Sequence, residues 1–140
     1  MKTKPAKKRS QPTLTLLGQS HTKVPDSPDK AVLEAFPNPN PGRAYWITLD
    51  CPEFTALCPI TGQPDFGHLT IRYIPGKWCV ESKALKIYLF SYRNTGAFHE
   101  AVVNQIMDDL VRVIKPRKMV VTGDFNRRGG IAITVEAAYP

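Results

Sequence analysis

Between Arg43 and Asp50 the apolar side chains of Tyr45, Ile47 and Leu49 alternate with Trp46 and Thr48, and further on Leu69, Ile71 and Tyr73 alternate with His68, Thr70 and Arg72. A period of two places alternate side chains on opposite faces, so both segments read as strands with one face more apolar than the other. Pro75-Gly76 turns off the second, and two neighbouring antiparallel strands are the simple reading. Ser82 can cap a helix through Lys83–Arg93, although the apolar residues there also suit a strand, and Asn94-Thr95-Gly96 closes the segment. Phe98, Val102, Ile106, Leu110 and Val113 recur at helical spacing until Pro116 stops the run. Met119, Val120 and Val121, then Ile131, Ile133 and Val135 around Gly129-Gly130, give two final strands. The order expected is two strands, two helices and two strands.

Residues 1 to about 40 break the pattern. Prolines recur at Pro5, Pro12, Pro25, Pro28, Pro37, Pro39 and Pro41, which argues against regular structure and marks residues 1–40 as a polar arm ahead of a domain over 41–140. The net charge of +7 is concentrated there: residues 1–30 carry seven Lys or Arg against Asp26 and Asp29, leaving twelve positive and ten negative charges on residues 31–140. The folded part is therefore nearly balanced, and a basic arm of this kind reads as solvated chain before it reads as an RNA contact. No run of about 18 apolar residues exists, and the basic N-terminus lacks the apolar stretch of a secretory signal, so a cytoplasmic protein without membrane contact is expected. Cys51, Cys58 and Cys79 lack the spacing of a disulfide framework and are expected as reduced thiols.

Candidate chemistry clusters where elements begin and end. In Cys58-Pro-Ile-Thr-Gly-Gln-Pro-Asp65-Phe-Gly67 a thiol and a carboxylate lie seven residues apart, in a stretch whose proline and glycine content predicts neither helix nor strand. A thiolate can add to an electrophilic carbon, and a carboxyl group beside it can move the proton that addition requires. Taken alone, the same residues also suit a buried thiol and a turn aspartate. Val80-Glu81-Ser82 with Lys83 and Lys86, the pair His99-Glu100, and Asn126-Arg127-Arg128 are the other clusters; helix-dipole partners and solvated basic faces are their plainer readings. Asp65-Phe66-Gly67 matches a kinase metal-binding tripeptide without the rest of that fold. The cysteines and His68 lack close zinc spacing, so no metal is expected. Neither Rossmann nor P-loop glycine patterns occur.

Taken together, the Cys58–Gly67 loop, Val80-Glu-Ser-Lys-Ala-Leu-Lys-Ile-Tyr-Leu-Phe90 and Phe98-His-Glu100 closely resemble the NADPH-dependent 7-cyano-7-deazaguanine reductases, the nitrile reductases of queuosine biosynthesis, over the chain from about Arg43 onward. The resemblance implies the tunnelling fold: an α+β subunit (ββααββ) whose antiparallel sheet carries two helices on one face, with sheets joined between subunits into a ring-forming homo-oligomer. It also settles the segment after Ser82 as a helix and places ligand sites between subunits. By the same resemblance Cys58 forms a thioimide with the nitrile, Asp65 supplies the proton, and His99 assists. Val80, Glu81, Ser82, His99 and Glu100 bind the deazapurine, and NADPH serves as co-substrate. Lys83, Lys86, Arg127 and Arg128 are the candidates for its phosphates. A tunnelling-fold enzyme acting on another purine or pterin, and a non-catalytic RNA-binding protein using the arm, are the competing readings; the nitrile reductase itself requires no nucleic acid. Cys51 and Cys79 receive no role.

Overall fold

A computed structural model of the chain describes residues 14–17 and 23–140; the basic run from Lys2 to Arg9 lies outside them. Four strands, β2 (Ile47–Leu57), β3 (Pro64–Ile74), β5 (Lys118–Arg128) and β6 (Ile131–Tyr139), form one antiparallel sheet in the order β2-β3-β5-β6. Two short strands, β1 (Ala35–Pro37) and β4 (Trp78–Val80), pair separately. Helices α1 (Ser82–Phe90) and α2 (His99–Ile114) lie between β4 and β5, with a 3-10 turn over Ser91–Asn94 after α1. The expected two-strand, two-helix, two-strand order holds for the main sheet.

Alternation explains which face is buried. Along β3 the buried residues are Asp65, Gly67, Leu69, Ile71 and Tyr73, while Phe66, His68 and Arg72 stand exposed on the other face. In β5, Met119, Val121, Gly123 and Phe125 face the same way. Against this face α2 lays Val102, Val103, Ile106, Leu110 and Ile114, each 0–1% exposed. Each such aliphatic side chain contributes about 1.5–3 kcal/mol by leaving water. α2 settles closely because Gly123 has no side chain: a Cβ there would stand 2.6 Å from Val103 Cγ2. Lys115, in the left-handed region at φ 45°, closes the helix, and Pro116 prevents its continuation. Gly129 and Gly130, at φ 55° and 80°, make the tight turn between β5 and β6.

Three expectations change. Residues 1–40 are not free of regular structure: β1 and a 3-10 turn at Pro28–Lys30 fall inside them. The buried Asn38 ties this segment down, donating to the Gly76 carbonyl and accepting from the Tyr45 hydroxyl. The proline-rich loop also ends sooner than its composition implied. Pro64 starts β3, where a missing N–H is tolerated, so Asp65 to Gly67 are strand residues. Finally, the residue capping α1 is Glu81 rather than Ser82. Its longer side chain reaches both the Lys83 and Ala84 N–H groups, at 2.8 and 2.7 Å.

Candidate active site

Cys58 and Asp65 come within electrostatic reach of each other because of how β2 and β3 pair. The hairpin register sets Ala56 opposite Asp65 and Leu57 opposite Pro64, and the Cys58 N–H continues the ladder to the Gln63 carbonyl at 2.8 Å. Between Cys51 and Phe54 the register slips, so that two β2 residues, Pro52 and Glu53, oppose His68 alone. Such a bulge reverses which parity faces inward. Before it Ile47, Leu49 and Cys51 pack on the core; after it Phe54 and Ala56 do, and the next position on that side is Cys58. Gly62, at φ 71°, lets the loop fold back and give its N–H to the Cys58 carbonyl.

That loop activates the thiol. A hydrogen bond with the Thr61 side chain, then those with the Thr61 and Ile60 backbones, bring Cys58 down from 9.0 to about 7, against burial and the Asp65 carboxylate, which push it up. The Thr61 hydroxyl oxygen also accepts from the Gln63 N–H at 3.3 Å. The other thiols differ. Burial first, then the Asp50 carboxylate, push Cys51 up, and Cys79 is buried. Cys58 is thus the thiol poised near neutral pH.

Asp65 is buried, and its two oxygens have different partners. Arg128 Nε lies 2.9 Å from Oδ1, and His99 Nε2 lies 3.5 Å from Oδ2. His99 is the first residue of α2, and its ring stacks flat on Phe125, with centroids 3.9 Å apart and planes within 3°. Phe125 is itself seated between two glycines: a Cβ at Gly67 or Gly123 would stand 2.8 Å from its ring. Arg128 reaches the site through a second bulge, where Asn126 and Arg127 face the single residue Ala132, turning Arg128 toward Asp65. Its Nη2 also donates to the Pro64 carbonyl at 2.8 Å. Phe125 and Gly123 stand outside every sequence motif, and Thr61 and Gly67, though inside the Cys58–Gly67 segment, receive no role from the sequence, since none of the four carries chemistry by itself.

The remaining candidates are spread out. Glu100 follows His99 in the first turn of α2, exposed, and among the described residues its carboxylate has no partner. Val80, Glu81 and Ser82 lie elsewhere: the Val80 N–H donates to the Tyr73 hydroxyl, and Tyr73 is eight residues along β3 from Asp65. At ~3.3 Å per residue that is roughly 26 Å, far longer than a two-ring heterocycle. Glu81 gives both oxygens to α1, and Lys83 Nζ donates to the Leu16 carbonyl. Lys86 is exposed along an open groove of about 830 Å³ that also holds Phe66, Phe90 and Arg93. Arg127 is exposed, with one long bond of 3.4 Å to the Gly130 carbonyl. Among the described residues no cluster suited to a metal ion occurs, and no helix is long and apolar enough to cross a membrane.

A family model described as "QueF-like protein" matches residues 64–140. Among curated proteins, the NADPH-dependent 7-cyano-7-deazaguanine reductase of Anaeromyxobacter sp. (strain K) is 53% identical over 116 residues, covering 83% of this chain and 94% of its own. Proteins of the same name from Magnetococcus marinus (58% over 112 residues; 80% and 88%) and Helicobacter pylori strain P12 (64% over 102 residues; 73% and 69%) are also similar. The crystal structure of the archaeosine synthase QueF-Like in the apo form superposes with a TM-score of 0.59 over 68% of this chain and 91% of that one. At 20% identity it supports the shared fold alone. With a family model over more than half of its length and relatives above 50% identity across most of it, this chain belongs to the QueF-like family of NADPH-dependent 7-cyano-7-deazaguanine reductases.

Proposed function

We propose that this chain reduces the nitrile of 7-cyano-7-deazaguanine to the primary amine of 7-aminomethyl-7-deazaguanine, in queuosine biosynthesis, through a thioimide on Cys58. The observation that carries the reading is a thiol near 7 placed beside a buried carboxylate that two further side chains hold. Sγ of Cys58 adds to the nitrile carbon. The S–H bond breaks, the S–C bond forms, and the proton passes by way of Asp65 to the nitrogen, returning Asp65 to its starting form. When bound, NADPH supplies hydride, twice, for a four-electron reduction. His99, within reach of Asp65, assists the proton movements, and Glu100 accepts hydrogen bonds from the donor edge of the ring. An enzyme acting on another purine or pterin without such an addition would leave the lowered thiol without a task.

The distance along β3 supports a homo-oligomeric site. One ring cannot touch both the Cys58 end and the Val80–Ser82 segment of the same chain, so the latter serves a site built with a neighbouring copy. The two edges of the sheet support this, since among the described residues β2 and β6 have no partner on their outer sides. β6 exposes Ile131, Ile133 and Tyr139. Sheets joined edge to edge into a ring would cover both. For the cofactor, Lys86 and Arg127 are the two candidates that face outward, and Arg93, beside Lys86, adds a cation above the Phe90 ring. Cations next to exposed aromatic faces suit a phosphorylated dinucleotide. Lys83 and Arg128 already hold protein partners, and each would have to share them.

Incubation with 7-cyano-7-deazaguanine in the absence of NADPH tests the reading. Intact-protein mass spectrometry should find an adduct on the wild-type chain and none on Cys58→Ala. A folded wild-type protein that stays unmodified would overturn it.

A further inference from the structure

We infer that Arg128 is a positioning residue for the proton transfer: it fixes the plane of the Asp65 carboxylate so that one oxygen is occupied by the guanidinium and the other stays turned to His99. The inference rests on the nitrile-addition reading above and adds to it a residue whose effect precedes any use of NADPH.

Three features of the site converge. The guanidinium makes two contacts, Nε to Asp65 Oδ1 at 2.9 Å and Nη2 to the Pro64 carbonyl at 2.8 Å, so it grips Asp65 and the backbone immediately before it. A planar fork held at two points cannot pivot about either bond, which a single ammonium could do. The bulge in β5 spends a ladder position to bring this side chain around; in regular pairing Arg127 would occupy that side instead. Finally, the division of oxygens leaves Oδ2 to His99 Nε2 at 3.5 Å, a separation that admits a proton-transfer partner better than a closed ion pair does. Asp65 has no further side-chain partner among the described residues. Without Arg128, His99 alone would set its orientation.

A purely structural staple between the β5–β6 hairpin and β3 would affect stability, and a phosphate contact would affect NADPH-dependent turnover. Orientation of Asp65 affects the addition step itself. The test is therefore the rate of thioimide formation at varied 7-cyano-7-deazaguanine without NADPH, followed by rapid-quench mass analysis, for the wild type, Arg128→Gln and Arg128→Lys. Misplacement of a reacting group by about 1 Å costs on the order of 100-fold. Arg128→Gln should show a fall of that order in the maximal rate with the half-saturating nitrile concentration unchanged, and Arg128→Lys should recover part of it. Arg128→Gln adding the nitrile at the wild-type maximal rate overturns the inference, and a loss confined to NADPH turnover assigns the residue to the cofactor instead. If Arg128→Gln does not fold, a folded Arg128→Lys with the full wild-type rate overturns it equally. A wild type that forms no adduct sinks the nitrile-addition reading, which this comparison separates from the role of Arg128.

Discussion

Replacing Thr61 by valine keeps the shape of the side chain and removes the largest single influence holding Cys58 at about 7. Three hydrogen bonds share the drop from 9.0, the Thr61 side chain foremost, so its loss should raise the midpoint of thiol ionisation by about one pH unit. At pH 7 the thiolate fraction then falls from about one half to about one tenth. The remaining thiolate is the more basic and hence more nucleophilic, by roughly threefold for one unit at a Brønsted slope near 0.45. These effects oppose each other. Alkylation by iodoacetamide at pH 7 should slow only about twofold, whereas above pH 9 Thr61→Val should react roughly threefold faster than wild type, so that the two pH–rate curves cross. Peptide-resolved mass spectrometry isolates Cys58 from Cys51, which is pushed up and reacts at higher pH, and from buried Cys79. Thr61→Ser keeps the hydroxyl and should retain the wild-type curve. A Thr61→Val curve with its midpoint still near 7, or a wild-type midpoint near 9, would refute the account of the loop.

Gly67→Ala drives a methyl group to 2.8 Å from Phe125 Cδ1, and the ring cannot retreat because the Gly123 side is equally close; a loss of about 1–3 kcal/mol is expected as a lowered urea midpoint at constant slope. Because that ring carries His99, adduct formation should slow as well. Glu81→Ala removes the acceptor for two N–H groups of α1 and should cost about 0.5–2 kcal/mol in denaturant unfolding, with Glu81→Gln, which keeps one oxygen, intermediate; equal stability of all three chains would contradict the cap.

The four main strands and the second helix were legible because their signal is local and repeated. Leu69, Ile71 and Tyr73 announce one face of β3, and Val102, Ile106 and Leu110 announce the inward stripe of α2, whereas Phe98, which the same spacing includes, precedes the helix as its N-cap and stands 57% exposed. Lengths were not legible where a strand is set by its partner. Nothing in Pro64-Asp65-Phe66-Gly67 reads as strand, yet Leu57, Ala56, Thr55 and Phe54 pair with these residues in turn and extend β3 to the edge of the thiol loop. β1 was invisible for the same reason, since Ala35, Phe36 and Pro37 are strand only through pairing with Val80, Cys79 and Trp78 of β4. The nucleophile and its carboxylate could be picked out from residue type and order. Phe125, which only supports His99, could not.

The two bulges account for what a period-two reading of the site leaves out. Strict alternation from Leu49 through Cys51 would carry the odd-numbered residues inward and leave Cys58 on the face opposite Asp65. Pro52 prevents this. It has no N–H to give the ladder, it lies in a strand at the sheet edge, and the apolar parity changes across it from Ile47, Leu49 and Cys51 to Phe54 and Ala56. The sequence therefore does contain the mark of the first bulge, as a proline at which the inward residues shift by one. The second leaves no such mark. After Phe125 the chain reads Asn126-Arg127-Arg128, with no apolar residue to show which side faces in, and either arginine could be the one beside Asp65. Only the register of β5 against β6 selects Arg128, and with it the geometry that holds the carboxylate next to the thiol.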